Sequence, residues 1–195
     1  MMRRVAAVAA ACTLAAFIAG CADSPSRFYT LSPSSAENPH TLSSTLAVVV
    51  GPVSIPATVD MPQIVVTNSP NRLSPDQFNL WASPLRSNIA QVVCANLATL
   101  LDTSNVSSVY AVDADYRVSI DVQTFESAPG EAATMSVLWM VRRVKDGKTE
   151  TGRTTVREVS TGVGYEALAA AHSRVLGLLS VDIAATIRRL ERDGT

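Results

Sequence analysis

DYRVSIDVQ, residues 115–123, alternates without a break. Tyr116, Val118, Ile120 and Val122 fall on one side, and Asp115, Arg117, Ser119, Asp121 and Gln123 on the other. Successive side chains of an extended chain point to opposite faces, so this stretch predicts a strand with one face in the core and the other facing water or a partner. Pro129-Gly130 turns the chain into residues 134–144, and Asp146-Gly147 turns it again into residues 149–160, which predicts a three-stranded antiparallel meander. Past Gly162 and Gly164 the period changes. Leu168, Ala171, Val175, Leu178, Leu179, Ile183, Ile187 and Leu190 recur at helical spacing. A first long helix is expected upstream, opened by Ser83 as a capping hydroxyl with Pro84 at the first helical position. Its apolar face carries Leu85, Ile89, Val92, Val93, Leu97, Leu100 and Leu101. The fold class that follows is α+β: a mainly antiparallel sheet with a three-stranded meander, packed against two long helices.

Ahead of the first helix, RFYTL at 27–31 is too aromatic for a linker and reads as a short strand. Residues 46–50 form a buried-strand run ended by Gly51-Pro52. Then Pro52, Pro56 and Pro62 stand between β-branched residues. Proline has no ladder donor and restricts the residue before it, so this segment is expected to be extended but only partly paired, an edge or a wrap, with residues 63–67 as its regular strand.

The N-terminus carries a different signal. Arg3 and Arg4 precede a run of small and apolar residues from 5 to 17, interrupted only by Thr13, and Ile18-Ala19-Gly20-Cys21 fits a bacterial lipobox. The run has the length of a secretory h-region, and a Ser/Pro-rich stretch follows it in place of a stop-transfer charge cluster. Residues 1–20 are read as a lipoprotein signal peptide, 21–26 as an acylated tether and 27–192 as a single α+β domain. Removing residues 1–20, with Arg3 and Arg4 among them, leaves 175 of the 195 residues and takes the formal net charge from −1 to −3. Acyl chains on Cys21 at about 0.8 kcal/mol per buried CH₂ would hold the chain at a membrane without a spanning segment. Ala22 in place of aspartate after the cysteine is the residue that usually permits export to the outer membrane in enterobacterial lipoproteins.

Composition excludes several classes. Charged residues are 17% and nearly balanced, which gives no basic field for nucleic acid. With Cys12 removed and Cys21 acylated, Cys94 is the one remaining thiol, so neither an internal disulfide nor a cysteine zinc site is available. Cys94 has no His, Lys or Arg in the neighbouring turn to depress its pKa and reads as a buried, inert thiol. Gly162-Val163-Gly164-Tyr165-Glu166-Ala167 has the letters of a dinucleotide fingerprint, but no apolar strand follows the helix to close a βαβ unit. Gly147-Lys148-Thr149 is a hairpin turn, since a P-loop would need glycine where Arg142 stands. His40 and His172 stand apart in sequence, Asp113 and Asp115 read as solvated carboxylates ahead of a strand, and no nucleophile elbow or metal-ligand spacing is present. No catalytic residue, metal or cofactor is expected, the acyl chains on Cys21 aside. Trp139 reads as core. Trp81 is either a packing staple ahead of the helix or an anchor for a partner.

RFYTL soon after the lipobox, VGPVSIPATVDMPQIVV at 50–66, NRL at 71–73, and LWASPL at 80–85 leading into NLATLL at 96–101 resemble the PqiC/YmbA family, the auxiliary lipoproteins of ABC-type intermembrane transport systems. The resemblance is clear from Arg27 to about Leu101 and weaker through the meander and last helix. It departs at Val59-Asp60-Met61-Pro62, where a charged residue beside the proline is the expected pattern. The resemblance implies a non-enzymatic protein at the periplasmic face of the outer membrane that docks, as a homo-oligomer, an MCE-domain protein spanning the periplasm, in a machine that moves lipid between membranes. It also implies a docking or structural motif at Pro52, Pro56, Pro62, Gln63, Trp81, Pro84 and Leu85. The alternative is a periplasmic lipoprotein that holds a lipid or small apolar ligand in its own fold.

Overall fold

The computed structural model describes residues 25–33, 44–109 and 113–193. In chain order these form β1 (Arg27–Tyr29), β2 (Val48–Ser54), β3 (Gln63–Ser69), β4 (Arg72–Trp81), α1 (Leu85–Leu100), β5 (Val106–Ser107), β6 (Tyr116–Ala128), β7 (Ala132–Arg143), β8 (Thr149–Val159) and α2 (Gly164–Arg192). The strands make a five-stranded sheet ordered β5-β2-β6-β7-β8 and a three-stranded sheet ordered β1-β4-β3. The class is α+β, as the periodicities predict, and the meander β6-β7-β8 is antiparallel throughout.

β6 shows why the meander was legible. Tyr116, Val118, Ile120 and Val122 are buried, and their polar alternates face the open side of the sheet. Between Val122 and Thr124 the register against β7 slips by one residue, a bulge that moves the buried phase to Phe125 and Ser127. Trp139 on β7 is buried among the helix-side residues. Its Nε1 donates to Thr154 Oγ1 at 3.0 Å, and that hydroxyl donates to Asp182 Oδ2 on α2 at 2.6 Å. Gly152 is the partner of Trp139 in the ladder and leaves room for the indole. At the hairpin turn, the buried Arg143 forks onto Asp146 through Nε (3.1 Å) and Nη2 (2.6 Å) and donates through Nη1 to the Leu190 carbonyl near the end of α2. The guanidinium holds the Asp146 carboxyl at about 2.

Four expectations are corrected. The strand begun at 46–50 does not end at Gly51-Pro52: β2 passes through them to Ser54, with a register irregularity against β6 between Val50 and Val53 that absorbs the residue lacking a ladder donor. Helix α1 starts at Leu85, with Pro84 as its N-cap and no side-chain cap, because the Pro84 carbonyl already accepts from the N–H groups of Ser87 and Asn88. Leu178 is exposed on α2, although it shares the heptad-like spacing of its buried neighbours. Residues 72–81, read only as motif letters, are a ten-residue strand. Its pattern is concealed by a slip of three residues in the register against β3, where Asp76 Oδ1 accepts from the N–H groups of Phe78 and Asn79.

Both helices pack on one face of the large sheet and against each other, with Asn96 Nδ2 of α1 donating to Ser180 Oγ of α2 at 3.2 Å. Helix α2 is long and apolar enough to cross a membrane by length and composition, and it is a largely buried core helix here. The two sheets meet through aromatic rings. Trp81 at the end of β4 sets its edge on Phe125 of β6 (6.2 Å, 80°), and Phe125 stacks on His172 of α2 (3.9 Å, 6°). His172 is fully buried, its Nε2 2.8 Å from Ser127 Oγ and its Nδ1 without a hydrogen-bond partner among the described residues.

Two outcomes follow for stability. A Cβ on Gly152 would lie 2.1 Å from the Trp139 ring, so Gly152→Ala is expected to cost about 1–3 kcal/mol in urea unfolding. Burial pushes the His172 imidazole from 6.5 down to about 3. The unfolded chain takes up this proton as pH falls through 6.5 and the folded chain does not until about 3, so the contribution is complete above that window and is lost within it, by up to ~1.4 kcal/mol per pH unit. His172→Phe should flatten the fall in urea midpoint between pH 7 and 4 relative to the parent protein, while lowering the midpoint at pH 7 because Ser127 loses its partner.

Candidate functional site

Proline fixes the path of the chain on both sides of the candidate site. Pro56 accepts the Val59 N–H through its carbonyl at 3.0 Å and turns the segment after β2, and Val59 drops into the core. The chain then passes Asp60 and Met61 to Pro62, whose carbonyl accepts the Trp81 N–H at 2.7 Å. One residue on, the Ala82 N–H donates to the Tyr29 carbonyl of β1 at 2.8 Å. The start of β3, the end of β4 and the end of β1 are thereby locked together where α1 begins.

The result is a pocket of about 330 Å³ between two short walls, Asp60-Met61-Pro62 on one side and Ser83-Pro84 on the other, with Trp81 and Leu85 as its floor. The floor residues are core: Trp81 is 6% exposed and Leu85 2%. The walls are half-buried or exposed. Asp60 is tied across to Arg86 on α1 by an ion pair, which fixes the proline segment to the helix and takes up the one charge on the rim. The pocket is apolar, shallow and preorganised, suited to an aliphatic or aromatic side chain presented by an extended segment. Its one carboxylate, Asp60, is held by Arg86, and Ser83 supplies its one hydroxyl.

Four of the seven motif residues, Pro62, Trp81, Pro84 and Leu85, meet at this pocket. The other three do not. Pro56 shapes the turn beneath it. Gln63 opens β3 on the outer face of the small sheet, paired with Leu80. Pro52 lies within the bulge in β2 and lines a separate groove of about 430 Å³ on the open face of the large sheet, with Leu138, Met140, Ser54, Ser119 and Asp121. Cys21 and His40 lie outside the described residues.

Asn88 was not singled out from the sequence, yet it organises the site. Buried on α1, its Oδ1 accepts from the Leu31 N–H (2.8 Å) and Thr30 Oγ1 (3.2 Å), and its Nδ2 donates to the Leu31 carbonyl (3.4 Å). It holds the strand β1 and its exit against the helix. A polar residue inside the apolar period of α1, between Leu85 and Ile89, was the available signal.

The remaining sequence candidates resolve into structural roles. Burial pushes the Cys94 thiol up to about 11, the opposite of an activated thiolate. Asp115 accepts the Ala47 N–H at 2.8 Å through Oδ2 and fixes the chain ahead of β2, and Asp113 is exposed. Gly162 and Gly164 have φ of 136° and 83° and form the turn into α2. Lys148 lies in the β7–β8 turn and pairs with Asp193. Among the described residues no group of three or more His, Cys, Asp or Glu side chains is placed to hold a metal ion.

The fold has solved counterparts. A crystal structure of an uncharacterized protein is 20% identical, with a TM-score of 0.72, covering 84% of this chain and 99% of its own. Protein XCC0632 from Xanthomonas campestris, described as of the DUF330 family, is 22% identical, with a TM-score of 0.69, covering 86% of this chain and 99% of its own. At these identities the likeness is one of fold. No curated protein matches the chain in sequence. The family model described as "ABC-type transport auxiliary lipoprotein component" matches residues 29–184, from β1 through most of α2. The chain therefore belongs to the ABC-type transport auxiliary lipoprotein family, of PqiC/YmbA type.

Proposed function

We propose that this protein is the outer-membrane docking component of an MCE-type intermembrane lipid transport system. Acyl chains on Cys21 hold it on the periplasmic face of the outer membrane. As a homo-oligomer, it receives a periplasm-spanning MCE-domain protein, and it catalyses no reaction. The observation that carries this reading is the pocket floored by Trp81 and Leu85, where residues of two separated family motifs, at 50–66 and 80–85, converge on a rigid apolar recess. A family of transport auxiliaries needs a place to hold the transporter, and a preformed recess beside the outer strands of a small sheet suits an extended partner segment that anchors one side chain.

Ser83→Glu tests the site without touching the core. The new carboxylate would lie at the rim of the pocket, ahead of α1, where the helix N-terminus tolerates negative charge. The acylated variant is expected to retain its thermal unfolding midpoint and to recover at least about tenfold less MCE-domain partner from crosslinked envelopes, equivalent to ~1.4 kcal/mol or more of docking energy. Undiminished recovery would remove the pocket from the docking surface.

The groove on the open face of the large sheet supports a second reading, in which the domain itself carries an apolar ligand against Pro52, Leu138 and Met140. Solvent extraction of protein purified without detergent separates the two. Stoichiometric lipid in the extract supports the carrier, and an empty protein that still binds the MCE partner supports the adaptor.

A further inference from the structure

The three-stranded sheet turns one face to the core and leaves the other apolar and open along β1 and β4. The parallel register of β1 on β4 sets Phe28 beside Leu80, and the antiparallel register of β3 on β4 pairs Val65 with Pro75 and Thr67 with Leu73. By strand alternation Phe28, Leu80, Pro75 and Leu73 share the outer face, which is open along β1 and β4 and closed at β3, where Val65 is buried, while Tyr29, Asn79 and Trp81 face inward. Phe78 is two residues before Leu80 and falls on the same outer side. Phe28 is 64% exposed, Leu73 48% and Phe78 45%. Isolated apolar side chains on a surface are ordinary, but two phenylalanines and a leucine exposed along two adjacent strands of one small sheet are more than scattered residues.

We infer that this face, centred on Phe28 and Phe78, lies against the phospholipid headgroups of the membrane that holds the anchor. The inference rests on acylation of Cys21 as proposed above. The length and direction of the tether choose the occupant. Cys21 precedes Arg27 by six residues, a span of at most ~20 Å when fully extended, so the first strand of the domain is kept close to the bilayer. Because β1 runs parallel to β4 with Arg27 beside Asn79, the chain ahead of Arg27 arrives from the side of Phe78. Charge agrees. The register places no acidic side chain on the outer face, Asp76 turns inward to accept from the Tyr165 hydroxyl, and the exposed Arg27 and Arg72 alternate with Phe28 and Leu73 at the strand ends, with side chains long enough to reach round to a headgroup layer. Aromatic rings edged by arginines match an interfacial layer with anionic headgroups, into which apolar side chains insert. With this face on the membrane, the domain is oriented and does not swing on its tether, and the pocket at the adjoining end of β4 is held in a fixed position relative to the bilayer.

The test uses the acylated full-length protein carrying Phe28→Trp, floated on vesicles of phosphatidylethanolamine and phosphatidylglycerol with brominated acyl chains. The parent protein is the control, since Trp81 and Trp139 are both buried. The added tryptophan is expected to lose roughly half or more of its emission on brominated relative to plain vesicles, as for a ring buried in the headgroup and acyl boundary. Phe78→Trp should report the same. Protein that floats with its added tryptophan unquenched would overturn the proposal while leaving the anchor intact, and concentration-dependent crosslinking through position 28 would then assign the face to a second copy. A Cys21 peptide whose mass carries no acyl chain would overturn the anchor, and the membrane face with it.

Discussion

The edge-on contact of Trp81 with Phe125 and the stack of Phe125 on His172 form the constraint on which the rest of the molecule depends, because each ring belongs to a different part of the fold. Trp81 closes β4 in the small sheet, Phe125 stands just past the bulge in β6, and His172 lies on α2. Together the three rings pack the end of β4 onto β6 and α2, beside the direct packing of β3 on β6. The cost of this arrangement is a fully buried imidazole with Ser127 as its hydrogen-bond partner. His172 and Ser127 are 0% and 1% exposed, so the pair joins β6 to α2 inside the core and meets no solvent.

Around that joint the protein divides its work along β4. At one end Trp81, Pro84 and Leu85 meet Pro62 in a rigid recess, and Asn88 and the Asp60–Arg86 pair hold its surroundings to α1. Along the same strand, Phe78 and Leu73 are exposed, and Phe78 is close to the start of β1. In the function and membrane face proposed above, both contacts fall on one element, which would keep their separation fixed.

Much of this was legible in the sequence where local rules operate. The period of two from Tyr116 to Val122 and the helical spacing from Leu168 to Leu190 place the core faces because burial itself imposes those periods. Trp81 and Trp139 both fall in the core as packing residues. What was concealed depends on pairing between distant segments. The slip around Asp76 breaks the alternation of β4, the parallel placement of β2 between β5 and β6 carries no local mark, and Ser127 meets His172 across 45 residues. Of the motif residues, the prolines announced an extended segment, but only the fold tells Pro62 and Pro84, which line the recess, from Pro52, which lies on another face.

The most direct measurement of the central claim is capture of the acylated protein from crosslinked envelopes, followed by mass spectrometry of proteins and lipids together. The account predicts an MCE-domain protein in stoichiometric amount, crosslinked through the segments around Asp60–Pro62 and Ser83–Leu85. Recovery of lipid at one or more molecules per chain with no such partner would contradict it and make the domain itself the carrier.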